Sequence, residues 1–424
     1  MANGLFAGGD GSLQNPFLIE DAHDLDAVRN GMDKHYKIIK NINLDIKPYN
    51  EGEGWIPIYQ FTGTFDGNNK IISGMRVNID REKQTQGYGL FRELKNAIVS
   101  NLAIQKVSFN FESNVYDIGF LAGRCYNSKI KNVIVSGYMK YTYQKNGGII
   151  GHCYSSSIEE CKSDIVFEVK RLDTVSPTLQ SRTGGIVGQV EDGGVIRNCY
   201  STGRHIEDAY SYTGGIAGYL YSTNDKIYDS YSTFYIQNRN NRIGGLTGSA
   251  NNSTVLGGFW DVEVTNQLTS SYGIGLTTQQ MKTAQTFIDA GWDKELNDDG
   301  EPVWILKDGE YPKLWFEEET VPNKFLLHDT RNGNIYTVKD DNLESINSTL
   351  PIKVDDFEKG TEELSDIIGE RNILTDMNKV SIGEFGDYNV YEYPISGYSK
   401  LYNVNIYDVG RITLDPDRKS KICY

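Results

Sequence analysis

The stretch TGGIVGQVEDGGVIRNCYSTG, Thr183 to Gly203, decides the fold. It opens on Gly-Gly, an aliphatic pair and a third Gly. A polar turn follows, then an Ile and a short polar run. The opening part recurs at Tyr88 (YGLFR), Gly119 (GFLAG), Gly147 (GGIIG), Gly184 (GGIVG), Gly214 (GGIAG) and Gly244 (GGLTG), at spacings of 31, 28, 37, 30 and 30 residues. A second apolar anchor follows each copy: Ile98, Ile130, Ile158, Ile196, Ile227 and Val255. A phosphate-cradling glycine loop leads into a helix. This element is repeated and leads into another short strand.

Two columns sharpen the reading. Cys125, Cys153, Val190, Leu220 and Ala250 stand two residues past the final glycine of their copies, and all are small or apolar. The next residues are Tyr126, Tyr154, Glu191, Tyr221 and Asn251. Apolar-in, polar-out alternation is the period of a strand. The apolar runs are too short for a helical repeat. Short strands repeating near 30 residues predict a parallel β-solenoid, whose coils bury their apolar side chains only by stacking. The recurrent glycines then serve a corner, through positive φ or through backbone approach that a Cβ would block. WIPIYQFTGTFDGNNKIISGMRV (Trp55–Val77) reads as the opening coils, with a turn at Asp66-Gly67-Asn68-Asn69. The longest spacing holds an insertion at Val169–Arg182, expected to project as a loop.

Open sheet edges at the ends of a solenoid need cover. Asp21 is placed to cap a short helix with Ala22, Leu25 and Val28 on one face and Gly31 as its stop. Thr277 and Gln280 make a capping box for a second, with Met281, Ala284 and Ile288 on one face and Gly291 at its end. The expected organisation is an N-terminal cap (1–50), the solenoid (51–276), a C-terminal cap (277–316) and a small α+β or β-rich domain (317–424). Within that last domain, strands are expected in FLLHD, NIYTVKD, YNVYEYPI and LYNVNIYDVGRITL, and a short helix in DDFEKGTEELSDIIGE.

The formal charge of −15 and the lack of a Lys/Arg block argue against nucleic acid as a partner. No apolar run is long enough for a membrane span. The N-terminus reads as lacking a secretory signal, which points to synthesis in a cytoplasm. The five cysteines form no CxxC pair and no zinc spacing, so neither a metal nor a cofactor is expected. Cys125 with Cys153, and Cys161 with Cys199, share columns and read as buried free thiols filling the core.

GGIVGQVEDGGVIRNCYSTG and GGIAGYLYSTNDKIYDSYST resemble GLUG-motif repeats. That family occurs in bacterial surface and adhesin-like proteins and in phage virion proteins. The flanking segments are similar to sequences that accompany those repeats, and the likeness runs from Ala2 to Trp315. It implies a right-handed type of solenoid. The C-terminal region resembles small modules of phage tail-associated proteins. Together with the N-terminus, this implies a non-enzymatic virion protein, a tail, baseplate or decoration component. Its expected partners are other virion proteins, met through either terminal region, and a host wall polysaccharide. A bacterial surface adhesin and a cell-wall polysaccharide depolymerase are the alternatives.

Candidate chemistry is sparse. A glycosidase needs two carboxylates facing one groove, yet Glu191 stands between Tyr154 and Tyr221 in its column, and Asp164 meets Thr202 in the next coil. His152 and Cys153 are adjacent on a strand and so point to opposite faces, which excludes a nucleophile pair. NDDGE (Asn297–Glu301) lacks the full calcium-loop pattern and reads as a turn. The tyrosines carry the binding expectation. Tyr126, Tyr154 and Tyr221 lie in the outward column, Tyr141 and Tyr143 alternate in YMKYTYQ, and Tyr210 and Tyr212 recur later. Their rings suit sugar stacking, and equally suit ladders between coils.

Overall fold

The computed structural model describes residues 6–317 apart from 80–85, 113–114, 142–144, 170–180, 207–211 and 238–241, and beyond Glu317 the backbone of strands alone. Residues 1–317 form one compact unit and 318–424 a second.

The first unit is a parallel β-solenoid. From Gln86 onward each coil contributes to three sheets, while the first strands, Phe17–Ile19, His35–Ile38 and Ile42–Asn43, join sheet I alone. Sheet I holds the longest strands, such as Ile98–Phe111 and Lys129–Tyr141. Sheet II stacks seven short strands in coil order, among them Phe91–Lys95, Ala122–Tyr126, Ile150–Tyr154, Val187–Glu191 and Ala217–Leu220. Sheet III stacks six, including Tyr116–Ile118, Lys145–Gly147, Arg182–Gly184 and Tyr212–Gly214. The pairing between coils is parallel and in register: Cys125 lies over Cys153, Cys153 over Val190, and Val190 over Leu220. This column is fully buried, and the interior is one continuous apolar cluster. A buried aliphatic or phenylalanine side chain contributes roughly 1.5–3 kcal/mol, so the stacked columns drive the fold.

One anchor sits a residue away from its expected place. Val99, not Ile98, is the register partner of Ile130, and Val99 is buried while Ile98 is 47% exposed. Alternation leaves no middle course, because a one-residue slip moves a side chain to the other face.

The motif glycines work by close approach. Gly148, Gly185 and Gly215 are absent from the positive-φ positions, but a Cβ on Gly185 would run into the carbonyl of Gly215 in the next coil and the side chain of Ser201 in its own. Positive φ is instead taken by polar residues, short ones except for Glu160, in two further columns. Asn96, Asn127, Ser155, Asp192 and Asn252 turn the chain out of sheet II. Asn101, Asn132, Glu160, Asn198 and Asp229 bend it within sheet I. Asn and Asp are the side chains that tolerate this region best. Their amides also form a ladder: Asn132 Nδ2 donates to Asn101 Oδ1 at 3.1 Å, and Asn101 Nδ2 to Asp66 Oδ1 at 3.1 Å.

The four described cysteines are free and fully buried. Hydrogen bonding with Cys125, then burial, pushes the Cys153 thiol up, and burial followed by Cys161 does the same for Cys199. Cys153 and Cys199 therefore stay protonated, and all four side chains fill the core.

At the N-terminal end, helix α1 (Ala22–Ala27) is capped by Asp21, whose side chain accepts from the amides of His23 and Asp24. Ala22, Leu25 and Val28 are buried, and a 3-10 turn ends before Gly31. Downstream, Thr277 and Gln280 form the capping box of α2 (Thr278–Met281). The helix then breaks and restarts as α3 (Ala284–Asp289). The break changes the face: Met281 and Phe287 are buried, while Ile288 is 38% exposed.

The segment from Thr277 to Glu317 lies along the outer side of sheet I. Tyr200 and Tyr231 of that sheet stack at 4.8 Å beneath Trp292, Trp304 and Phe287, making a second apolar core. Polar contacts tie it across several coils: Lys131 with Asp298, Arg197 with Glu295, Trp304 Nε1 with Asn198, and Lys162 with Glu317. The Asn297–Glu301 turn is closed by its own Asn297 Oδ1, which accepts from the amides of Asp299 and Glu301.

In the second unit, Leu326–Asp329 and Asn334–Lys339 pair as an antiparallel hairpin within a six-stranded sheet. Tyr388–Tyr393, Lys400–Tyr402 and Arg411–Leu414 are strands. The helix expected over Asp355–Glu370 and the insertion loop after Val169 lie outside the described residues.

Candidate functional site

Residues two apart on a strand share a face, so sheet II presents two outward columns. The first runs Glu93, Arg124, His152, Gln189, Tyr219, Ser249. The second runs Lys95, Tyr126, Tyr154, Glu191, and then Tyr221 and Asn251. Sheet III adds Lys145, Arg182 and Tyr212 beside them.

The centre of this face is ionic. Asp117, its side chain 1% exposed, is paired with Arg124 and lies 3.4 Å from Lys145 Nζ. Arg124 also donates to Gln86 at 2.8 Å. His152 is 2% exposed: Nε2 is 2.9 Å from Glu191 Oε2, and Nδ1 is 3.9 Å from Asp117. Burial, followed by the charges of Lys145, Arg124 and Arg182, pushes its imidazole down to about 2. The ring is therefore neutral, and its Nε2–H donates to Glu191. Gln189 Nε2 donates to the same carboxylate at 2.8 Å. Two carboxylates do flank one histidine here, a convergence that the columns alone do not show because Asp117 comes from the other sheet. Asp117 is sealed by its cations.

The aromatic residues surround this centre. Tyr126 and Tyr154 stack at 4.6 Å with an interplanar angle of 9°. The His152 ring lies 3.8 Å from that of Tyr154. Burial raises the pKa of both phenols. The faces of this pair are thus used between coils, as in a ladder. Further along, Tyr212 stacks on Tyr219 at 5.3 Å, with Arg242 over Tyr212 and Arg182 over Tyr219. Tyr221 meets Tyr219 edge-on and is 46% exposed.

Of the expected binding residues, Tyr126, Tyr154 and Tyr221 are brought together on this face. Tyr141 is not. It is fully buried, with its hydroxyl 2.7 Å from both Thr183 Oγ1 and His205 Nε2. Its strand continues the sheet I alternation, which turns it inward. Tyr143 and Tyr210 lie outside the described residues. Arg124, Asp117 and Lys145 are additions. The repeat alignment carries a signal for the first, because Arg124, His152 and Gln189 occupy one position of successive copies.

A second feature lies where sheet II turns into sheet I. A groove of about 500 Å³ is lined by Asn96, Ala97 and Ile98, by Asn127, Ser128 and Lys129, by Ser155, Ser156 and Ser157, and by Gly193 and Val195. Among the described residues no group of three or more His, Cys, Asp or Glu side chains is arranged to hold a metal ion. No helix among them is long and apolar enough to cross a membrane.

The repeat region is thus a parallel β-solenoid with one polar and aromatic outer face. Residues 180–207, which contain the opening stretch, match the family model of the GLUG motif. A protein of Evansella cellulosilytica provisionally named a Gly-rich membrane protein is 36% identical over 140 residues, 31% of this chain and 16% of that protein. Halomucin of Haloquadratum walsbyi is 33% identical over 161 residues, 35% of this chain and 2% of that protein. The chain therefore spans a small part of the length of these relatives. Among solved structures, a Bacteroides ovatus protein provisionally named an immunoglobulin A1 protease aligns over 74% of this chain and 96% of its own, at TM-score 0.48 and 17% identity. An IgA1 protease aligns over 92% of this chain and 34% of its own, at TM-score 0.45 and 14% identity.

Proposed function

We propose that this chain is the solenoid part of a surface-displayed protein that binds a polysaccharide without altering it. The observation that carries the reading is the contrast between two faces. The outer side of sheet I is occupied by residues 277–317, whereas the tyrosine and cation columns of sheets II and III stand outward, with Tyr221 the most open of their predicted tyrosines. The relatives are named for a membrane protein and a halomucin, and these names favour the surface-protein reading over a virion component. Detection of the chain in purified particles, rather than in cell envelopes, is the result that returns the reading to a virion. Sugar release from purified walls is the result that turns it into a depolymerase.

The direct test is binding to envelope polysaccharide. Tyr221→Ser is expected to weaken binding about threefold to tenfold, the loss of one aromatic contact. Its melting temperature should stay unchanged, as for an exposed position. Unchanged binding removes Tyr221 from the site.

A further inference from the structure

We infer that the groove between sheets II and I is a binding track for a linear, uncharged glycan running along the solenoid axis. This inference rests on the polysaccharide-binding reading above and gives it a location and a ligand class.

The groove is a translational repeat. Ile98, Lys129, Ser157 and Val195 are register partners in four successive coils. Asn96, Asn127 and Ser155 turn the chain at the equivalent place on the opposite side. Coils lie about 4.8 Å apart, so four of them repeat the same backbone position, carrying Ile, Lys, Ser and Val side chains in turn, over roughly 14 Å. The step of about 4.8 Å is close to the length of one pyranose unit, so a linear glycan advances by about one sugar per coil.

The hydrogen bonding of the groove selects the ligand. The amides of Asn96, Asn127 and Ser155 donate to the carbonyls of Tyr126, Tyr154 and Glu191. Those of Lys129, Ser157 and Val195 donate to Ala97, Ser128 and Ser156. In the floor, Ser128 Oγ accepts from Ala97, and Ser156 Oγ accepts from Ser128. The backbone is thus consumed by stacking, and an extended peptide finds no strand edge to join. The hydroxyls of Ser128, Ser155 and Ser156 donate to the carbonyls of Tyr126, Asp192 and Tyr154, so what the walls present is the side-chain amides of Asn96 and Asn127, the Ser157 hydroxyl and the exposed apolar Ile98, a set suited to sugar hydroxyls and to the apolar face of a ring. The cation in the groove, Lys129, lies 3.5 Å from Glu159, so there is no unbalanced positive charge to select an acidic sugar. One end is closed: the next coil packs Asn224 against Gly193, and Asp225 Oδ1 accepts from the Gly193 amide at 2.9 Å.

The test is electrophoresis of the full chain in native gels cast with a linear β-glucan, a linear mannan or polygalacturonate. The expected result is retardation by a neutral polymer, weakened at least tenfold in Ser157→Trp, which fills the groove, with an unchanged melting temperature. If Ser157→Trp does not fold, Ile98→Ser and Lys129→Ala take its place and should weaken retardation severalfold. Folded groove variants retarded like the wild type overturn the track. If Tyr221→Ser alone then loses binding, the polysaccharide reading survives on the sheet II face. Retardation by polygalacturonate alone overturns the uncharged ligand, and no retardation by any polymer overturns the inference.

Discussion

Gly185 shows how strictly one residue is fixed by its neighbour in the next coil. Its missing Cβ is what lets the Gly215 carbonyl approach, so Gly185→Ala forces backbone apart rather than a flexible side chain. Overpacking of this kind costs roughly 1–3 kcal/mol or more. A clear drop in melting temperature is expected, and an unchanged one would contradict the close-approach account. Two histidines set a pH dependence at the same scale. Burial holds His152 and His205 at about 2 and about 3 in the folded chain, against 6.5 when free. Between those values the unfolded chain binds more protons. Stability therefore falls as pH falls below about 6.5, by about 1.4 kcal/mol per pH unit for each ring. Asp229 works the other way: burial, then Glu295, raises it from 3.8 to about 6, so it offsets one ring between those two values, and burial shifts Asp225 in the same direction. Melting at pH 4.5 should lie below melting at pH 7, and His152→Gln should reduce the difference. A flat profile would contradict the burial of the rings.

At the scale of elements, the flank from Thr277 to Glu317 is held by aromatic packing on Tyr200 and Tyr231. Trp304→Ala removes a buried indole and its hydrogen bond to Asn198, a change of about 3–5 kcal/mol. Limited proteolysis should then cut the flank before the coils. Simultaneous cleavage throughout would show that flank and coils unfold as one. The strands, the capping residues and the in-register cysteines were legible because each depends on local alternation or on a repeated column. The Ile98 slip was not, because Ile98 and Val99 are both aliphatic and only the partner strand distinguishes them. The flank's position was hidden for a different reason: capping chemistry marks where a helix starts, not which sheet it covers. Tyr141 was misread because its ring and hydroxyl suit either face, and Thr183 and His205, which satisfy the hydroxyl inside, are 42 and 64 residues further along the chain. The ionic centre was partly legible. Arg124, His152 and Gln189 align by repeat, but Asp117 arrives from another sheet.

For the whole molecule, every statement about faces, columns and groove depends on one claim: residues 30 apart in sequence are stacked one coil apart. Lys95 and Asn251 are exposed members of the same outward column, five coil steps apart through Tyr126, Tyr154, Glu191 and Tyr221. With spin labels at Lys95→Cys and Asn251→Cys in a Cys423→Ser background, the four buried thiols stay unlabelled. Pulsed dipolar spectroscopy should give a narrow distance distribution near roughly 24 Å plus the label arms, at about 4.8 Å per coil. A broad distribution, or one centred beyond roughly twice that length, would contradict the stacked solenoid and every column read from it.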